Sequence, residues 1–237
     1  MAQLRLDKYL ADMGIATRRE LKGIIKSGRV TVDGKIAAAP DMKIDAEKAA
    51  VALDGALLRY AKQHYYMLYK PCGVITATED RNQRTVLDLL TPELRRMELF
   101  PVGRLDKDTS GLLLLTDDGD FAHRVISPKS EVEKLYYAQV DGELTQQDVQ
   151  AFERGIVLAD GTQCLPAKLN IIGMGECTVA VMEGKYHQVR RMLASRGKPV
   201  LELKRLSIGG LRLDENMHEG DFRELDQSDL NLVFMAT

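Results

Sequence analysis

Little in the 237-residue sequence points to a bound metal, a disulfide or a membrane. Its three cysteines (Cys72, Cys164, Cys177) are odd in number, widely spaced and form no C-x-x-C, so they read as free thiols of a reducing, cytoplasmic compartment. The four histidines (His64, His123, His187, His218) show no ligand spacing, and no metal is expected. The longest apolar run, around Leu112–Leu115, is far too short to cross a bilayer, and the opening MAQLRLDKYLADMG has no signal-peptide core. There is no P-loop, and Gly173-Met174-Gly175 lacks a further glycine at 178, so no nucleotide cofactor is expected. What is present is ordinary for a globular protein, 45% hydrophobic and 29% charged, with room for one large domain or a small one plus a medium one.

The net charge of −2 hides a strong polarity. Lys and Arg outnumber Asp and Glu two to one in residues 1–35 and more steeply in 183–205, while acid collects in 214–229. Two basic segments on an acidic chain suggest a polyanionic partner; solvated helix faces are the plainer explanation for either alone.

In the N-terminal segment Leu6, Tyr9, Leu10 and Met13 share one helix face, and Gly14 ends it. Thr17-Arg18-Arg19-Glu20 fits a capping box that opens a second helix, with Leu21, Ile24 and Ile25 inward and Gly28 as its stop. Arg18, Lys22 and Lys26 recur every four residues as a basic ridge, and VTVDGKI (30–36) reads as a hairpin with an Asp-Gly turn. The stretch RLDKYLADMGIATRRELKGIIKSGRVTVDGK resembles the small RNA-binding domain named after ribosomal small-subunit protein four. The resemblance implies that Arg5, Arg18, Arg19, Lys22, Lys26 and Arg29 meet RNA phosphates. LLRYAKQH (57–64) reads as a linker. Beyond it, many strand-like runs with a few interspersed helical patterns argue α+β with a mixed or antiparallel sheet.

RLDK occurs twice, at 5–8 and 104–107, the second time inside PVGRLDKDTSGLLLLTDDG (101–119). Three readings compete there. Asp106, Asp108, Ser110, Gly111 and Asp117 superficially fit a calcium loop, but the flanking helices and the terminal glutamate are missing. Turn-forming aspartates suit Asp108, Asp117 and Asp118. The third reading is a catalytic aspartate in a loop between strands.

GRLDKDTSGLLLLTDDG resembles the central motif of the pseudouridine synthases, in the branch that modifies single ribosomal-RNA uridines. YMLYKPCGVITAT (66–78), EKLYYAQV (133–140), EGKYHQVRRMLASRG (183–197) and LKRLSIGGLRL (203–213) agree in order and spacing. The resemblance implies an α+β fold: an RNA-binding domain over 1–60, and a catalytic domain over 61–237 with a mixed, largely antiparallel sheet and flanking helices. It also implies an isomerase that needs neither cofactor nor metal. Asp106 would supply the ionised carboxylate, attacking C1′ or C6 or assisting glycal formation, and Arg190 its cationic partner. Tyr136 would be the platform for the flipped base, with Tyr137 on the opposite face of its strand. Arg104 would help displace the base and hold its phosphate, Ile208 and Leu206 would back the pocket, and Lys185 and Arg191 are candidates for phosphate contact. Lys70-Pro71 is expected to be structural, the proline fixing a strand exit, and His187 to be a satisfied buried imidazole. Within the branch the chain looks most like the enzyme for uridine 516 of small-subunit 16S rRNA, a monomer acting on naked rRNA or an assembly particle. A large-subunit enzyme and a catalytically silent rRNA-binding assembly factor are the alternatives.

Overall fold

The computed structural model describes residues 3–58, 60 and 63–236; Arg59, Ala61 and Lys62 of the expected linker lie outside them. The chain divides into two compact units, Met1–His64 with Leu90–Leu99, and Tyr65–Leu89 with Phe100–Thr237. The first unit thus includes Leu90–Leu99, which lie well inside the span 61–237 expected for the catalytic domain.

That unit runs β1 (Gln3–Arg5), α1 (Leu6–Asp12), α2 (Arg18–Lys26), β2 (Val30–Val32), β3 (Lys35–Ile36), β4 (Lys43–Asp45), β5 (Val51–Leu53) and β6 (Ala56–Leu57). The capping box forms at α2: the Thr17 hydroxyl accepts the Glu20 amide at 3.3 Å, and the Glu20 carboxylate accepts the Thr17 amide at 2.9 Å. Asp33 and Gly34 both take positive φ, the requirement of a two-residue hairpin turn between β2 and β3. Leu6, Tyr9, Leu10, Leu21 and Ile25 bury the facing stripes of the two helices against Val30 and Val51. A one-turn helix, α3 (Pro92–Arg95), completes the unit. Its Glu93 carbonyl lies 2.6 Å from where a Cβ on Gly14 would sit, at φ +68, so both space and backbone require glycine there.

The second unit contains β7 (Tyr65–Lys70), β8 (Phe100–Pro101), β9 (Ser110–Thr116), α4 (Gly119–Ile126), β10 (Lys134–Val140) and α5 (Gln146–Arg154). There follow β11 (Lys168–Gly173), β12 (Glu176–Val181), α6 (Gln188–Ser195), β13 (Val200–Ile208), β14 (Leu211–Arg212), β15 (Phe222–Glu224) and α7 (Gln227–Val233). Its nine strands form one sheet in the order β11-β12-β10-β13-β9-β7-β15, with β14 beside β13 and β8 beside β9. Every pairing is antiparallel except β13 with β9, so the sheet is mixed and largely antiparallel, flanked by helices. All seven residues of β9 are buried, which leaves no room for the calcium loop: a strand separates Asp106 from Asp117. The core is mainly aliphatic, gathered around Phe152, Val179 and Met192 at one end of the sheet and Met67, Leu112 and Val125 at the other.

Candidate active site

The second RLDK lies in the loop between β8 and β9, and that loop is laced from three directions. Lys70, at the end of β7, is fully buried, and its ammonium donates to the carbonyls of Pro71 (2.9 Å), Asp106 (3.0 Å) and Thr109 (2.9 Å). Burial pushes this lysine down to about 8. The Thr76 hydroxyl donates to the Leu105 carbonyl at 2.6 Å and accepts the Leu105 amide at 3.1 Å. The Gly73 amide reaches the Lys107 carbonyl at 2.7 Å. The backbone is thereby fixed while the Asp106 carboxylate keeps 28% of its surface exposed. The Lys70-Pro71 pair is structural as expected, but it acts through the lysine.

Asp106 lines a cavity of about 600 Å³ together with Arg104, Tyr136, Lys185, His187 and Ile208. Tyr136 and Tyr137 alternate as adjacent strand residues must: the first faces the cavity, and the second donates to Glu176 at 3.1 Å. Arg104 makes no ion pair among the described residues, whereas Lys185 pairs with buried Glu183.

Three expectations need correction. Arg190 does not pair with Asp106: it bridges to the Asp108 carboxylate at 3.2 Å and carbonyl at 2.8 Å, and it is not among the residues lining the cavity. The reason is local. His187 takes a left-handed backbone (φ +48) just before α6, which sets its own imidazole, not the guanidinium, beside Asp106, Nε2 to Oδ1 3.4 Å. His187 is accordingly part-exposed, stacked on Tyr186 with ring centroids 3.8 Å apart, and not a satisfied core residue. Leu206 lines a separate cavity with Tyr69 and Met217. The register shifts between the Leu135–Ser207 and Tyr136–Arg205 pairs, so Leu206 is the extra residue of a β-bulge and is turned away from the site.

In the first unit the basic ridge is exposed but unevenly available. Arg5 and Arg18 both bond the buried Asp7 carboxylate, and Arg29 pairs with Asp54. Arg19, Lys22 and Lys26 are exposed and make no ion pair among the described residues. Arg191 pairs with Asp160.

Sequence reasoning missed Lys134 and Arg205, both of which line the cavity. Lys134 stands two residues before Tyr136 on the same strand and was legible by parity; the bulge at Leu206 obscured Arg205. Among the described residues no cluster of three or more His, Cys, Asp or Glu could hold a metal, and no helix is long and apolar enough to cross a membrane.

A family profile described as RNA pseudouridylate synthase matches residues 64–195, and one for the S4 domain matches residues 4–48. The chain is 43% identical to the uncharacterized RNA pseudouridine synthase YtzG of Bacillus subtilis, over 97% of this chain and 98% of that protein. It is 40% identical to the ribosomal small subunit pseudouridine synthase A of Vibrio cholerae (98% and 100% covered), and 37% identical to the ribosomal large subunit pseudouridine synthase B of Bacillus subtilis (93% and 91%). A crystal structure of a pseudouridylate synthase superposes with a TM-score of 0.69 at 35% identity, covering 97% of this chain and 99% of that one. The chain therefore belongs to the RNA pseudouridylate synthase family. It is a pseudouridine synthase that carries an S4 domain at its N-terminal end.

Proposed function

We propose that the protein isomerises uridine to pseudouridine in ribosomal RNA, with Asp106 as the reacting carboxylate. The observation that carries this is the placement of that carboxylate: its backbone held by Lys70 and Thr76, its oxygens open to a cavity walled by Tyr136 and Ile208. A flipped uracil stacks on Tyr136, and such stacking is worth about 1–3 kcal/mol per base. Arg104, at the cavity and without an ion pair among the described residues, holds the phosphate of the extruded nucleotide. Arg190 braces the loop through Asp108, and Lys185 and Arg191 lie along the RNA path. Arg19, Lys22 and Lys26 present the basic face of the first unit, and Arg5, Arg18 and Arg29, each held by an aspartate, add to it.

The favoured target is small-subunit 16S rRNA at uridine 516, as naked RNA or in an assembly particle, with the protein acting as a cytoplasmic monomer. The higher identity and fuller coverage of the small-subunit relative support this target, and the large-subunit relative supports a second reading with 23S rRNA. The test is to incubate both rRNAs, and the assembling small subunit, with wild type and Asp106→Asn and map carbodiimide-blocked uridines by primer extension. Modification at one small-subunit uridine, reduced by at least about 10³-fold in Asp106→Asn, is expected. RNA binding without modification by wild type would leave the assembly-factor reading instead.

A further inference from the structure

Two cations of the cavity have no part in the roles above. Lys134 and Arg205 line it beside Tyr136 and Asp106, and only 9% and 4% of their surfaces are exposed. Among the described residues, neither has a carboxylate partner. The Lys134 ammonium reaches one acceptor, the Val125 carbonyl in the last turn of α4, at 3.3 Å. Arg205 donates through Nε to the Leu112 carbonyl at 2.7 Å and through Nη1 to the Tyr136 hydroxyl at 3.4 Å, while its Nη2 is buried with no partner.

A buried charge without a counter-charge is costly, and two like charges together are costlier. Burial, and then the nearby Arg205, push Lys134 down to about 8. Such an arrangement suits a cavity whose negative charge arrives with the ligand or develops during the reaction. Pseudouridine formation develops one. When N1–C1′ breaks by attack of Asp106 at C1′ or by glycal formation, its electron pair leaves with the base, and the free uracil carries one negative charge shared by N1, C5, O2 and O4; addition of Asp106 to C6 would instead keep the base bound to the carboxylate. On rejoining, that pair forms the C5–C1′ bond as the carboxylate leaves C1′ or, in the glycal route, as the C2′ proton taken to form the glycal is returned, and the proton lost from C5 is balanced by the one gained at N1.

We propose that Lys134 and Arg205 are catalytic residues that stabilise the negative charge of the detached uracil. The proposal rests on the placement of the reaction at Asp106. It differs from phosphate binding, because the charge is met only after the bond has broken and saturating RNA does not substitute for it. Lys134 faces Arg205 and Tyr136 on the sheet, the Val125 carbonyl on α4, and Arg104, Asp106, Glu183, Lys185 and His187 around the rest of the cavity.

Single-turnover rates at saturating rRNA, RNA affinity and Tm are measured between about pH 7 and 9 for wild type, Lys134→Arg, Lys134→Met and Arg205→Lys. Lys134→Met is expected to slow the step by about 10²-fold and Arg205→Lys by about 10-fold, with RNA affinity unchanged. The wild-type rate falls above about pH 8, and Lys134→Arg keeps most of the rate but loses that fall, because guanidinium does not titrate there. A neutral lysine is easier to bury, so deprotonation of Lys134 does not lower Tm over this window.

The proposal is overturned if Lys134→Met keeps the wild-type rate, or if it weakens RNA binding while the saturated rate stands. It is also overturned if Lys134→Arg retains the alkaline fall, which would then belong to another group such as Lys70. Should Lys134→Met not fold, the pH profile of Lys134→Arg decides. A wild type inactive on every uridine, or an active Asp106→Asn, overturns the underlying placement of the reaction instead.

Discussion

The two RLDK tetrapeptides share four residues and almost nothing else. In the first, Leu6 is fully buried, and Asp7 is buried under two guanidinium groups, Arg5 Nη2 at 2.9 Å and Arg18 Nη2 at 3.0 Å. These bonds, that from Arg5 first, hold the Asp7 carboxyl below its ordinary range. In the second, Leu105 is buried and Arg104 lines the cavity without an ion pair among the described residues. Asp106 is held by its backbone, with its carboxylate beside an imidazole. One aspartate has its charge neutralised to fasten a helix; the other has its main chain fastened so that its charge stays available. Secondary structure makes the difference. Asp7 falls in the first turn of α1, whereas Asp106 sits in a loop whose carbonyls a buried lysine can reach.

This contrast can be broken at several points. Asp106→Asn should abolish catalysis while leaving Tm within about 2 °C, since the side chain makes few contacts. Gly111→Ala should do the reverse first. Residue 111 has φ +109, and a Cβ would collide with the Arg205 backbone where β9 meets β13. A loss of about 3–5 kcal/mol in urea unfolding is expected, and a near-neutral result would mean that this strand contact is looser than the geometry shows.

Asp7→Asn should cost about 1–3 kcal/mol without touching the chemistry of the second unit. Because folding lowers the Asp7 carboxyl below its unfolded value, its contribution is complete above the ordinary carboxylate range and is lost as pH falls through the lowered value. The asparagine variant should therefore show a flatter acid limb of stability, and an unchanged limb would assign that dependence elsewhere. The smallest effect concerns RNA. Replacing Arg19, Lys22 and Lys26 with alanine should weaken binding and reduce the slope of log affinity against log salt by about 0.7–0.9 for each phosphate no longer neutralised. Replacing Arg18 should act more through stability, since it bonds Asp7.

Much of this was legible where local rules govern. The Thr17–Glu20 box, the Asp33-Gly34 turn and the alternation of Tyr136 and Tyr137 follow from short-range geometry. What failed turned on local backbone geometry that the residue types do not announce, or on tertiary packing. The sequence marks Arg190 as a cation on α6, but its partner was decided by the left-handed turn at His187. Leu206 misled because a bulge inverts strand parity, and no residue pattern in LKRLSIGG announces one. Nothing in the residue pattern sets Leu90–Leu99 apart from its neighbours; only tertiary packing assigns it to the first unit.

That assignment bears on how the enzyme can be taken apart. The chain enters the first unit, leaves it after His64, and returns for Leu90–Leu99, so the RNA-binding domain is not a cassette that one cut releases. A fragment ending at residue 64 lacks α3 and the Arg96 guanidinium that donates to the Gly14 and Ile15 carbonyls. Transplanting the domain between synthases to redirect their targets would have to carry two separate pieces of chain, and inheritance through recombination would face the same constraint.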